Sequence, residues 1–461
     1  MDFFGEGISG VFTEQGNGWF YKPNLGDVTE AGTVTLGSLK NISPKPSFSG
    51  LGNGTLQMQD IEANGEKQIV FNSSAVTGYF ELTDENDWTN FRNFETKLNI
   101  DFQDPNLRML DLNGDGKADV LITENDVFTM YFGKGKAGYE SAQKTNKVFD
   151  EEKGPAIVFA DPKQSIFLAD MTGDGLTDIT RIRNGEVCYW PNLGYGKFGA
   201  KVSMNNAPLF DHPDLFNPAY LQLTDVSGTG ATDIVYLGQN NCCAYINLAG
   251  NSWGDAQIIT DAFRTARPDN IALVDLTGNG TSCLVWSSEL PGNNNVSLRY
   301  IDLMGGKKPH LMTRHINNLG KETTLEYKSS TWFYLKDKSE GKPWITKLPF
   351  PVHCVRKTET VDRITGTKFI SSYRFHHGYY DHAEREFRGF GMVEQTDTED
   401  FEHWVKSGAT NIVAADLHQP VVLTKTWYHT GAFIDKEKIL TQYSQEYWYE
   451  EMQRQGFAVS T

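Results

Sequence analysis

Apolar and polar residues alternate immediately before a series of short loops rich in aspartate and glycine. Positions −4 and −2, counted from the first aspartate of each loop, are apolar in five copies: Leu56/Met58, Leu107/Met109, Ile166/Leu168, Leu221/Leu223 and Ile271/Leu273. A period of two is typical of a strand with one buried face. Position +9 is apolar again, so each copy predicts a strand, a tight loop and a returning strand.

The loops form a repeat with six copies. Their first aspartates are Asp2, Asp60, Asp111, Asp170, Asp225 and Asp275, at spacings of 58, 51, 59, 55 and 50 residues. Position +5 is glycine in all six and position +3 in five, with Ala63 as the exception. Asparagine recurs at position +22, as Asn24, Asn192 and Asn247. Glycine tolerates the positive φ that such turns require.

A repeat of this length, with about four strands, has the size of a propeller blade. We therefore expect an all-β fold with a six-bladed β-propeller over residues 1–308, and an open solenoid is the alternative. The first copy has only Met1 before its aspartate, so it lacks an entering strand. Either that strand is supplied from elsewhere, or the chain is the inner part of a longer protein, which we favour.

The repeat stops at about residue 309, and residues 309–461 form a second region. The alternating segments FISSYRF and GMVEQTDTE predict β-strands there, and about 435–454 predicts a helix. Histidines and acids cluster at His376, His377, Asp381, His382 and Glu384, as they do in metal sites. Neighbouring histidines on a strand point to opposite faces, however, so a hydrogen-bonded turn is favoured. The following segment, EREFRGFG, predicts cross-strand ion pairs.

Charge and composition narrow the function. The 42 basic and 59 acidic residues give a net charge of −17, which disfavours nucleic acid and anionic membranes as partners. The chain has no apolar run long enough to span a membrane and no Sec-type signal at its start. The five cysteines show no C-x-x-C spacing, which favours free thiols. No motif of a known catalytic class is present, so we expect a protein that is not an enzyme.

Two of the loops have oxygen-bearing side chains at positions +0, +2, +4 and +8, an arrangement that suits Ca²⁺. They are Asp111, Asn113, Asp115 and Asp119 in the third copy, and Asp170, Thr172, Asp174 and Asp178 in the fourth. An EF-hand is rejected, because position 12 is Ile122 or Arg181 instead of glutamate. The alternative is that the aspartates cap the turn by accepting backbone N–H groups. No cofactor is required, and Ca²⁺ is the one possible ligand.

Several segments resemble one protein family in particular. They are DFFGEGISG and WFYKPNLG near the start, YWPNLGYGKFG in the fourth repeat, and WITKLPFPVH and FHHGYYDHAEREFRGFG after the repeats. They are similar to the B component of the insecticidal toxin complexes (TcB or TcdB-like) and to the plasmid virulence B proteins of Salmonella. The loops themselves resemble FG-GAP and VCBS repeats. The similarity extends over about residues 1–400.

The resemblance implies a non-enzymatic toxin subunit. Its propeller would dock on a pore-forming A component and act as a gate, while the following region would begin an Rhs-like shell, completed by a C component, around a toxic effector. Such a protein is made in the bacterial cytoplasm and acts outside the cell as a complex, without inserting into the membrane itself. Two alternatives stay open: a surface adhesion or glycan-binding propeller, and a propeller hydrolase acting on polysaccharide.

Overall fold

The computed structural model describes residues 1–16, 18–28, 30, 32–43, 55–73, 76–83, 87–124, 126–238, 242–259, 271–287, 298–365, 367–398 and 421–447. The fold is all-β, which confirms the predicted class. Two compact units share the chain. One comprises Met1–Phe4, Ser9–Asn24 and Leu36–Pro309, and the other comprises Gly5–Ile8, Leu25–Thr35 and His310–Thr461. Two short N-terminal segments thus group with the C-terminal unit, which the sequence did not indicate.

The first unit consists of separate antiparallel sheets, one for each repeat. The first repeat contains β1 Val11–Gln15, β2 Gly18–Lys22 and β3 Lys40–Ile42. The second contains β4 Leu56–Gln59, β5 Gln68–Asn72, β6 Thr77–Phe80 and β7 Arg92–Asn93. The third contains β8 Leu107–Leu110, β9 Asp119–Thr123, β10 Val127–Tyr131 and β11 Gln143–Asn146. The first sheet has three strands and begins after its loop, in agreement with the missing entering strand.

The remaining repeats continue this pattern. The fourth repeat contains β12 Ile166–Ala169, β13 Asp178–Arg183, β14 Glu186–Trp190 and β15 Val202–Ser203. The fifth contains β16 Leu221–Thr224, β17 Asp233–Leu237, β18 Cys242–Tyr245, β19 Asn247–Leu248, β20 Ser252–Trp253 and β21 Gln257–Ile259. The sixth contains β22 Ile271–Val274, β23 Cys283–Ser287 and β24 Leu298–Asp302. β19 and β20 form a small ribbon beside the fifth sheet. The predicted strand–loop–strand unit is confirmed, as in the pairing of Met109 with Val120 across the third loop.

The turn geometry of the loops is the same in all six repeats. Both the +3 and the +5 residue have positive φ in every copy, for example +77° at Gly114 and +78° at Gly116. Ala63 adopts φ +57° where the other copies have glycine. A non-glycine residue in this region is strained by roughly 1 kcal/mol, so the surrounding loop must hold Ala63 in place. The shared conformation explains why glycine persists where the acidic residues do not.

Hydrophobic cores lie between consecutive sheets of the first unit. One core joins the first and second repeats around Trp19 and Ile69, and another joins the fourth and fifth around Met171 and Ile234. Equivalent cores join the second to the third, the third to the fourth and the fifth to the sixth repeats. The sheets of the second to fifth repeats therefore have a core on both faces, which is why their second strands are almost continuously buried.

The second unit is built on a six-stranded antiparallel sheet with two helices. Its strands, in sheet order, are β25 Arg314–Ile316, β26 Lys321–Ser329, β27 His353–Asp362, β28 Lys368–Asp381, β29 Glu386–Thr398 and β30 Val422–Trp427. The helices are α1 Ser330–Ser339 and α2 Lys436–Glu446. The strands predicted from FISSYRF and GMVEQTDTE are confirmed as parts of β28 and β29. α2 confirms the first half of the predicted C-terminal helix, whose end falls outside the described residues.

α1 was not predicted. Ser329 caps its start, because the Ser329 hydroxyl accepts the backbone N–H of Trp332 at 3.3 Å. Phe333 and Leu335 are buried, and the ring of Phe333 packs edge-on against Phe375 of β28. Neither helix among the described residues has the length and apolar character needed to cross a membrane.

Candidate functional site

The first aspartate of each loop caps the turn through its carboxylate. In the third repeat, Asp111 Oδ1 accepts the backbone N–H groups of Asn113, Gly114 and Asp115, and Oδ2 accepts that of Gly116 at 2.6 Å. Asp60, Asp170, Asp225 and Asp275 accept the +5 glycine N–H in the same way, at 2.6–2.7 Å. The capping alternative therefore accounts for the aspartates at this position with contacts inside the chain.

The acidic residue at position +8 has a different role. Asp119, Asp178 and Asp233 are fully buried. In the fourth repeat, Asp178 accepts the backbone N–H of Met171 at 2.9 Å and that of Asn192 at 2.8 Å. The equivalent pair of bonds occurs in the third and fifth repeats. Each carboxylate thus ties the loop to the turn that follows the next strand.

Burial sets the protonation behaviour of these three carboxyl groups. It raises the pKa of Asp119 to about 7, and those of Asp178 and Asp233 to about 6. The accepted N–H bonds oppose this shift, and the other loop aspartates add to it in each case, but loss of water around the charge has the largest effect. The contacts just described therefore include no cation that would neutralise the negative charge of these buried acids.

The eight residues proposed to bind Ca²⁺ are divided between the two loops, and the +8 acids Asp119 and Asp178 bond to backbone N–H groups. Within each loop, the side chains of positions +2 and +4 also bond locally: Asn113 accepts the N–H of Asp115, and Asp174 accepts that of Leu176, both at 2.9 Å. Among the described residues, no group of three or more His, Cys, Asp or Glu side chains is placed to hold a metal ion. Calcium binding remains a prediction.

A second cluster of ionisable side chains surrounds a cavity of about 900 Å³ in the C-terminal unit. Asp337 of α1 is the shared partner within this cluster, and it is 2% exposed. Its carboxylate accepts the indole N–H of Trp344 at 2.7 Å, contacts His376 Nδ1 at 2.6 Å and accepts a guanidinium N–H of Arg374 at 3.0 Å. Glu394 lies on the other side of the imidazole, 3.9 Å from Nε2.

The contacts of His376 and Glu394 favour the charged forms of these two side chains. Burial lowers the pKa of His376, but the hydrogen bond to Asp337 and the negative charges of Asp337 and Glu394 outweigh it and raise the pKa above its usual value. The nearby imidazole of His376, followed by the ammonium group of Lys425, lowers the pKa of Glu394 to about 2. An imidazolium held between two carboxylates has no free lone pair, so it cannot serve as a general base in this state.

The predicted histidine cluster is divided between a strand and a turn. His376 and His377 belong to β28, and 382–385 form the turn that leads to β29. His377 contacts Glu446 at 2.9 Å and has φ +55°, two residues before Tyr379, where the register of β28 and β29 shifts. The positive φ of His377 departs from the extended backbone that strict alternation requires, and both imidazoles line the one cavity. They bind different carboxylates, which supports the hydrogen-bonded interpretation over a shared metal.

The segment EREFRGFG forms the expected cross-strand ion pair. Arg388 of β29 lies 3.7 Å from Asp381 of β28 and 3.2 Å from Glu386 of its own strand. Sequence reasoning missed Asp337 and Glu394, the acidic partners of His376. The histidine pair could be recognised in the sequence, but its acidic partners could not, because they are distant in sequence and belong to no local motif. All five cysteines are free.

Residues 249–431 match the family described as the insecticide toxin TcdB middle/N-terminal region. A Tc holotoxin pore of Photorhabdus luminescens is 28% identical over 97% of this chain, with a TM-score of 0.79. A TcdB2–TccC3–TEV structure is 27% identical over 97%, with a TM-score of 0.67. No curated protein is similar enough to count as a match.

The chain spans 20% of the length of each of these two structural neighbours. The family match covers the end of the repeats and most of the described part of the second unit, while the structural similarity extends over almost all of the chain. The two findings concern the same type of protein, and they agree with the resemblance drawn from the sequence. Together they show that the chain is similar to TcB-like toxin components.

Proposed function

We propose that the chain is a non-enzymatic part of a toxin complex, in which its repeat region docks on a pore-forming A component and gates the release of an effector. The observation that carries this proposal is the fold shared over 97% of the chain with a Tc holotoxin pore. Other similar structures contain TcdB2 together with TccC3, so a C component is the second proposed partner. The complex would act outside the cell that makes it.

The proposed repeat architecture is a closed propeller of six blades. A hydrogen bond that recurs between repeats supports closure, because it joins the fifth repeat to the fourth and also the first repeat to the sixth. In the fifth repeat, the side-chain amide of Asn247 donates to the carbonyl of Thr232 at 3.0 Å and to that of Met171, in the preceding repeat, at 2.9 Å. These acceptors stand at position +7 of the same repeat and position +1 of the repeat before.

Asn24 makes the equivalent pair of bonds in the first repeat. It donates to the carbonyl of Ser9, at position +7, at 2.9 Å, and to that of Leu276 at 2.8 Å. Leu276 is position +1 of the sixth repeat. The first repeat thus contacts the sixth in the way the fifth contacts the fourth, which is expected of a ring and not of an open array.

Closure can be tested by hydrogen exchange on the chain and its Asn24→Ala variant. In a ring, loss of the Asn24 bond should speed exchange in the sixth loop, residues 275–284, as well as in the first. The matched control is Asn247→Ala, which should speed exchange in the fourth and fifth loops. Unchanged exchange at 275–284 in Asn24→Ala would argue for the open array.

The six-stranded sheet of the second unit is proposed to be the start of the shell. β30 has one unpaired edge among the described residues, and Val422 and Leu423 on it are more than half exposed. An exposed apolar edge strand is prone to pair with further strands. In the longer relatives, additional chain is present that could continue the sheet.

Docking is tested by mixing the purified chain with a purified Tc A component and following association by interferometry. Saturable binding is expected, with a rate that falls as salt increases, because the chain carries a charge of −17. The A component without its binding end for B is the control. Absence of association at micromolar concentrations would contradict the docking role, and a glycan array then tests the adhesion alternative.

A further inference from the structure

Helix α1 binds the loop of the first repeat through a carboxylate at position +4. The hydroxyl of Tyr334 donates to Glu6 Oε1 at 2.6 Å, and the ammonium group of Lys338 binds the same oxygen. Tyr334 and Lys338 are four residues apart, so they lie on one face of the helix. Glu6 and α1 belong to the same compact unit.

The apolar part of the same contact is made by Leu335. Its Cδ1 lies so close to Gly26 that a Cβ added to this glycine would approach it to 2.6 Å. Ile8, at position +6 of the loop, is next to the same point and is 3% exposed. Gly26 is the last residue of the segment PNLG. The helix therefore uses three features: an acid at +4, a large apolar residue at +6, and the PNLG turn.

The fourth repeat has all three of these features. Asp174 is at position +4, Leu176 is at +6, and PNLG recurs at 191–194. Position +6 is Glu66, Lys117, Ala231 or Thr281 in the remaining repeats, and none of them contains PNLG. The combination is therefore specific to the first and fourth repeats.

The fourth repeat shares the backbone conformation of the first at both glycines of this surface, although position +8 is Gly10 in the first repeat and Asp178 in the fourth. The PNLG turn is tied to the loop, because the N–H of Asn192 donates to Asp178 at 2.8 Å and that of Gly194 to the Asn192 side chain at 2.9 Å. Gly175 and Gly194 have φ of +87° and +84°, and their counterparts Gly7 and Gly26 have +72° and +64°.

In the fourth repeat this surface is open. Asp174 is exposed, Leu176 is half-buried and Leu193 is 63% exposed. Among the described residues, no atom other than those of chain neighbours lies within 4 Å of a Cβ built on Gly175 or Gly194. The same positions are filled elsewhere: Ala63 lies against Gly116 in the third repeat, and Lys308 binds the carbonyl of Gly280 in the sixth.

We propose that the loop face of the fourth repeat, formed by Asp174, Leu176 and Gly194, is a docking site for a helix of a partner protein. The helix would present a leucine to the PNLG turn, and a tyrosine and a lysine four residues apart to the carboxylate. This is the pattern with which α1 covers the first repeat. The inference depends on the equivalence of the two repeats and not on closure of the ring or on a toxin role.

The probe is a fluorescent peptide of residues 328–341, with its Lys336 and Glu340 side chains joined by a lactam. This link lies between residues that form an i,i+4 ion pair in α1, so it holds the peptide helical without touching Tyr334, Leu335 or Lys338. Its anisotropy is measured against the full chain. We expect saturable binding, weakened about tenfold or more by Asp174→Lys and by Leu176→Ser in the protein.

Two protein controls are matched to these variants. Asp115→Lys reverses the same loop position in the third repeat, whose surface is already filled, and should change the affinity by less than about twofold. Glu6→Lys should also leave the binding intact. The proposal is overturned if the peptide does not bind, if Asp174→Lys leaves the affinity unchanged, or if only Glu6→Lys abolishes it, which would show exchange with α1 at the first repeat.

Discussion

The two units of the molecule bury carboxylates in opposite ways. In the repeats, Asp119, Asp178 and Asp233 accept only backbone N–H groups among their described hydrogen bonds, and burial raises their pKa values to between about 6 and about 7. In the second unit, Glu394 faces His376 and Lys425, and its pKa falls to about 2. Burial penalises charge in both cases, so the presence of a cation decides the direction.

The difference reflects what each carboxylate does. A repeat needs an acceptor for two buried N–H groups, and it can use a neutral or a charged acid for this. In the second unit, Asp337 joins α1 to β28 by its hydrogen bonds with His376 and Arg374. Four predictions use this contrast, beginning with the largest effect.

Removal of the central acid should destabilise the second unit strongly. Asp337→Ala leaves His376, Arg374 and the indole N–H of Trp344 without their shared acceptor, and breaking a buried ion pair costs about 3–5 kcal/mol. Urea unfolding followed by tryptophan fluorescence measures the loss. Glu340→Ala is the matched control, since Glu340 also binds Arg374 but is exposed, and it should cost about 1 kcal/mol or less. Similar losses in both variants would contradict the central role of Asp337.

Removal of an acid from the repeats should have a smaller but clear effect. Asp178→Ala leaves the buried N–H groups of Met171 and Asn192 without acceptors, at about 1–3 kcal/mol for each unsatisfied group. Asp178→Asn retains one acceptor oxygen and should lose less. Asp174→Ala, four residues earlier and exposed, should change the free energy of unfolding by about 0.5 kcal/mol or less. Equal losses at positions 174 and 178 would show that the +8 acid does not support the turn.

The buried acids of the two units should respond to pH in opposite ways. The folded pKa values of Asp119, Asp178 and Asp233 are raised, so stability is gained as pH falls through about 7 to 6 and is complete below the unfolded value near 4. Glu394 acts oppositely: its contribution is present above its unfolded pKa and is lost as pH falls towards about 2. The contribution of His376, whose pKa is raised, is present below about 6.5 and is lost above its folded pKa.

Thermal unfolding between pH 5 and pH 8 tests this. The melting temperature should be higher at pH 5, by about 2–4 °C for each kcal/mol gained. The triple variant Asp119→Asn, Asp178→Asn and Asp233→Asn removes the titrating groups from the repeats, so part of the pH dependence should disappear. If the slope of the triple variant equals that of the parent, these acids do not titrate in this range.

Calcium should have the smallest effect. If the third and fourth loops bind it, calorimetry on the chain should show a heat of binding that Asp115→Ala combined with Asp174→Ala removes. Bound Ca²⁺ would also change the pH contrast, because a cation beside Asp119 and Asp178 lowers their pKa values. No heat of binding in the parent would leave the backbone caps as the complete role of the loop aspartates.

The sequence determined the frame of the repeats and much of their local geometry. Glycine at +3 and +5, with apolar residues at −4, −2 and +9, predicts a hairpin bent by two residues of positive φ. All six copies have the two positive φ values, and the five copies with an entering strand have the hairpin. These features depend on residues within about a dozen positions of one another. The strands β28 and β29 and the start of α2 were predictable for the same reason.

The tertiary structure alone decided the rest. The buried residues of α1 include Thr331, Phe333, Leu335 and Asp337, whose period of two is that of a strand, so the local pattern gave no indication of a helix. The pairing of Asp337 with His376, and of α1 with the loop of the first repeat, joins residues 39 and more than 300 positions apart. Contacts of this kind depend on which segments tertiary folding brings together within one unit, and no local spacing of residues encodes that.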